Sequence, residues 1–100
     1  MHTQSPAERE RALAMLNGAH RFPGEFVFKA IGANQPAFAA ELMQAAVLVV
    51  GTQVQPKVSA RESQGARHVA VTMALPVASA EQVLDVYAAL AKVRGLHMLL

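Results

Sequence analysis

The stretch VQPKVSARESQGARHVAVTMAL, residues 54–75, alternates twice. Val54, Pro56, Val58 and Ala60 fall on one side, and Gln55, Lys57, Ser59 and Arg61 on the other. That period of two is the mark of a half-buried strand. Ser63-Gln64-Gly65 then interrupts the pattern as a turn. It resumes with Val69, Val71, Met73 and Leu75 inward and His68, Ala70, Thr72 and Ala74 outward. Two such runs joined by a short Gly-containing turn read as a hairpin. Pro56 has no ladder N–H, so the earlier strand, residues 54–62, belongs at a sheet edge. Pro76 is expected to end the later strand, residues 67–75.

A helix flanks the hairpin on each side. Upstream, Pro36 opens a segment running to about Val50, with Gly51 as its stop. Phe38, Leu42, Ala45 and Val49 share one of its faces, widened by Met43, Val47 and Val50. Downstream, Ser79 and Gln82 form an S-x-x-Q capping box for a helix that runs to about Val93. Its buried stripe is Val83, Val86, Tyr87 and Leu90, and Lys92 and Arg94 near its end complement the helix dipole. Outside the helices, residues 25–31 and 96–100 read as strands. Phe22-Pro23-Gly24 is a turn. A short N-terminal helix starts at Ser5, Pro6 and Glu8, a second capping box, and stops at Gly18.

The order is therefore β-α-β-β-α-β after an N-terminal helix. Two right-handed crossovers joined by a hairpin give an α+β, ferredoxin-like sandwich. Its antiparallel sheet has the order 4-1-3-2, both helices cover one face, and the other face is open. Residues 1–21 form an N-terminal extension and residues 22–100 the domain.

The composition agrees with one small domain. The 100 residues are 53% apolar and 16% charged, enough to form a core and too apolar for disorder. Twenty are Ala, so the larger core-forming side chains are fewer than that fraction suggests. The absence of Cys excludes disulfides, thiolate nucleophiles and Cys-based zinc sites. Nine Lys and Arg against seven Asp and Glu give a net charge of +2, far from a polybasic surface. Glu8, Arg9, Glu10 and Arg11 stand where a signal peptide needs apolar residues. Residues 37–50 are broken by Glu41 and Gln44 and fall short of the ~20 apolar residues of a membrane span. A cytoplasmic protein with no membrane partner is expected.

Phe22-Pro23, Phe26 and Lys29-Ala30-Ile31-Gly32 resemble an F-P-x-x-F-x-x-K-V-M-G family opening. Glu81-Gln82-Val83, Tyr87, Leu90, Lys92 and Met98-Leu99 resemble the same family's closing helix and strand. The family is the YbeD-like domains of unknown function, also labelled lipoic-acid-binding regulatory proteins. The resemblance covers roughly residues 20–100 and is weaker between Asn34 and Gly65. It implies a ferredoxin-like fold similar to the ACT regulatory domains, and it supplies no catalytic residues.

The open sheet face is the first candidate for function. Lys29 and Arg61 are charge partners for a small carboxylate such as lipoate, with Val27, Ile31 and Leu99 as an aliphatic wall. The segment Gly32-Ala33-Asn34 leads into a helix N-terminus, where free N–H groups favour an anion, or where Asn34 is simply the N-cap. His68 and His97 are expected to flank the end of the first strand, about two strand spacings (~9.6 Å) apart, too far for one metal. The ligand-binding set is thus Lys29, Ile31, Gly32, Asn34, Arg61, His68 and His97, with no metal and no cofactor. Dispersed carboxylates and the lack of any paired Ser, His and Asp argue against an enzyme. The outward residues at the centre of the sheet, Ala70, Thr72, Val27 and Ile31, offer no stacking aromatic for RNA. The alternative is an interaction module that docks a protein partner or a second copy, through this face or through an edge strand.

Overall fold

The fold is described from a computed structural model, over residues 5–100; His2 lies outside the described residues. Its elements are α1 (Pro6–Ala19), β1 (Gly24–Ala33), α2 (Pro36–Val50), β2 (Lys57–Glu62), β3 (His68–Val77), α3 (Ala80–Leu90) and β4 (Leu96–Leu99). The strands form one antiparallel sheet in the order β2-β3-β1-β4, which is the expected 4-1-3-2 read from the other edge.

Alternation along the two long strands decides what is inside. On β1, Phe26, Phe28 and Ala30 are buried while Glu25, Val27 and Lys29 are exposed. On β3, Val69, Val71, Met73, Leu75 and Val77 are buried. Phe38, Leu42 and Ala46 of α2 and Val83, Val86 and Leu90 of α3 close the core over that face. The stripe on α2 follows a spacing of four, so Ala45 and Val49 sit at its border rather than at its centre. No polar or charged residue is buried among those described. The rings of Phe28 and Tyr87 meet edge to face at 5.0 Å, and those of Phe26 and Phe28 lie 4.9 Å apart. The outlying α1 buries no residue; Leu16 touches the core, and the His20 ring meets that of Phe26 at 4.8 Å, tilted by 57°.

Several boundaries differ from expectation, each for a local reason. The first strand does not break at Gly32: Gly32 and Ala33 continue it, because Ala33 N–H donates to the Gly95 carbonyl at 2.9 Å. The edge strand starts at Lys57, not Val54, since Pro56 cannot donate and Val54 turns back to bond Gly51. On its inner side only Val58 is partly covered; Ala60 is exposed. Pro76 does not end β3. Pairing with β2 stops at Lys57↔Ala74, so beyond Ala74 one side of β3 is free and a missing N–H is tolerated there.

The helix ends are also adjusted. The last helix stops at Leu90, where tighter bonds from Lys92 to Ala89 and from Val93 to Leu90 take over; Lys92 and Arg94 lie beyond it. Ser79 caps α3 by accepting from Gln82 N–H, but the Gln82 side chain accepts from Ala78 rather than from Ser79. Helix α1 runs through Gly18 to Ala19; its Ser5–Glu8 capping box is present in both directions.

Gly32 holds the sheet and α2 together. The Phe38 ring lies against it, and a Cβ there would meet that ring and stand 2.7 Å from the Gly95 carbonyl oxygen. Gly32→Ala therefore forces backbone and ring apart and is expected to destabilise the domain by about 1–3 kcal/mol in chemical denaturation. Burial raises the Tyr87 phenol pKa above its usual 10.0. The folded state thus favours the neutral phenol. Its contribution to stability is complete below the unfolded value and is lost as pH rises through the raised one. With one Tyr and no Trp in the chain, phenolate absorbance reads this directly: the folded protein should titrate above the denatured one.

Candidate functional site on the open sheet face

Strand register places the outward side chains in rows. Lys57, Ala74 and Val27 form the first row; Ser59, Thr72 and Lys29 the second. Arg61, Ala70, Ile31 and Met98 form the third, and His68 with Ala33 the fourth. Among the described residues no helix lies on this side: α2 and α3 pack on the other, and α1 meets the core there through Leu16. Val27 and Met98 are accordingly about half exposed, at 54% and 52%.

The second and third rows hold a depression of about 360 Å³ lined by Lys29, Ser59, Ala60, Arg61, Ala70 and Thr72. Its floor is made of small side chains, Ala70 and Thr72, and long cationic ones stand at opposite corners. The backbones of Lys29 and Arg61 are two strands and one row apart, a span that two flexible cationic side chains can close over one small anion. Lys57, one row away, is engaged by Glu25 at 3.6 Å in an exposed pair of small energetic value. Lys29 and Arg61 make no ion pair among the described residues. Two unpaired cations, two hydroxyls and an aliphatic margin suit a carboxylate with a carbon tail.

The remaining sequence-derived residues separate into two groups. Ile31 shares the third row and is half-buried beside the depression. Gly32 is buried on the opposite, helix-covered side under Phe38, where its role is packing. Asn34 is not the cap of α2; Gln35 holds that position without a side-chain bond. The Asn34 side chain instead donates to the Ala66 carbonyl at 2.9 Å, tying the β1 end to the β2–β3 turn. That turn places Gly65 and Ala66 at positive φ.

A bulge in the β1–β4 pairing between Ile31 and Gly32 changes a further expectation. It shifts the parity of β4, so Leu99 pairs with Ala30 and packs on the core, and Met98 takes the outward place assigned to Leu99. The strands of His68 and His97 flank β1, two strand spacings apart, as expected, but the two rings lean together, with centroids 4.8 Å apart and planes perpendicular. Simple alternation has no term for an extra residue or for the lean of a ring, so neither was visible beforehand. Among the described residues, no three His, Cys, Asp or Glu side chains come together as a metal site. A second depression, about 540 Å³, lies between α2 and the residues after it, lined by Met43, Val47, Val54 and Pro56 among others and by no charged group. No helix among the described residues is long and apolar enough to cross a membrane.

No curated protein matches the chain significantly. A family model described as "protein of unknown function (DUF493)" matches residues 18–100, from the end of α1 through β4, and the YbeD-like resemblance is consistent with it. The chain belongs to this DUF493 family.

Proposed function

We propose that this chain is a non-catalytic regulatory domain that binds a small carboxylate, such as lipoate, on its open sheet face. The observation that carries this reading is the pair of unpaired cations, Lys29 and Arg61, over one depression with Ser59 and Thr72. A carboxylate there takes charge-assisted hydrogen bonds from both cations, and its tail lies along Ile31 and Met98 or along Val27.

A second reading rests on the exposure of Val27 and Met98 on the same face. There the face docks a protein partner or a second copy, and Lys29 and Arg61 meet acidic groups of that partner.

Calorimetric titration with lipoate separates the two. The carboxylate reading expects saturable binding, weakened about tenfold or more by Lys29→Ala or Arg61→Ala and unchanged by Lys57→Ala, whose partner is Glu25. No saturable heat at millimolar lipoate overturns it. A sedimentation mass that rises with concentration, and falls back with Met98→Glu, then supports the docking face.

A further inference from the structure

The contact between His97 and His68 is a feature that the carboxylate reading does not use. The two rings are 4.8 Å apart, centre to centre, and perpendicular. Two imidazoles bound to one metal at ~2.0–2.1 Å, at a ligand–metal–ligand angle of about 90–110°, have their ring centres roughly 4.5–5 Å apart. The observed spacing falls in that range. His97 is exposed and His68 half-buried, so the pair opens to solvent, which can fill the remaining coordination positions. On β1 the open-face residue in register with His68 is Ala33, a methyl group rather than a bulky side chain. The His68 backbone is held by Ser63 twice: its N–H donates to Ser63 Oγ at 3.1 Å, and its carbonyl accepts from Ser63 N–H at 2.9 Å.

We propose that His68 and His97 form a two-histidine site for a divalent transition metal of the imidazole-preferring class, zinc, nickel or copper, at the Ala33 end of the open sheet face. Ligand type selects this class, since imidazole nitrogens suit zinc, nickel and copper, whereas calcium and magnesium prefer oxygen donors. Two neutral ligands leave the metal's charge uncompensated, and Lys29 and Arg61 share the face, so the affinity is modest and an anion or water completes the shell. The site stands independently of lipoate binding.

The test is a zinc titration of the full chain carrying His2→Ala, which removes the amino-terminal histidine as a competing ligand. Ring and amide resonances are followed by two-dimensional NMR. The site predicts one-to-one saturation, with shifts centred on His68, His97 and Ala33 and none at His20. His68→Ala and His97→Gln should each weaken binding by at least about tenfold without lowering the melting temperature, as loss of one of two ligands requires. Shifts that are diffuse or fail to saturate overturn the proposal. So does a His68→Ala protein that melts normally and binds zinc as tightly as its parent.

Discussion

The constraint on which the rest depends is that the helices bury only one side of β1 and β3. Phe26, Phe28 and Ala30 on one strand, and Val69, Val71, Met73 and Leu75 on the other, are held under α2 and α3. Because side chains alternate, fixing those positions fixes the opposite set: Val27, Lys29 and Ile31 with His68, Ala70, Thr72 and Ala74 must face outward. A slip of one residue in register would place Lys29 under the helices, where an unpaired charge is strongly disfavoured. The core therefore specifies the candidate site as firmly as it specifies the fold.

Gly32 is where the sheet, α2 and the last loop converge. Phe38 occupies the space of its missing side chain, and the Gly95 carbonyl closes over the same point to bond Ala33. This contact sets how α2 leaves β1. The bulge lies in the same place, between Ile31 and Gly32, and it decides which residues of β4 face the core. The sequence motif containing Lys29, Ile31 and Gly32 thus serves two faces at once, Lys29 and Ile31 on the open side and Gly32 on the packed side.

Much of this was legible in the residues. The alternation of Val69, Val71, Met73 and Leu75, the edge position signalled by Pro56, and the caps at Ser5 and Ser79 all reflect local physics that tertiary contacts did not override. Parity alone places Lys29 and Arg61 outward, as the register confirms. What escaped the sequence came from irregularity or from long-range contact. Gly32 reads as a chain breaker, but its meaning is the Phe38 ring six residues on. Asn34 has the chemistry of a cap, but it is drawn to Ala66, a partner 32 residues away. The extra residue in β4 exchanged Met98 for Leu99, and the His68 and His97 rings lean together although their strands lie two spacings apart.

The central claim is that function lies on the uncovered sheet face, at the rows containing Lys29 and Arg61. A map of backbone amide shifts on adding lipoate tests it most directly, since every strand and helix reports in one spectrum. The account predicts saturating shifts at Lys29, Ser59, Arg61 and Thr72, with α2 and α3 unmoved. Shifts clustered instead at Met43, Val47 and Val54, along the uncharged groove beside α2, would contradict it.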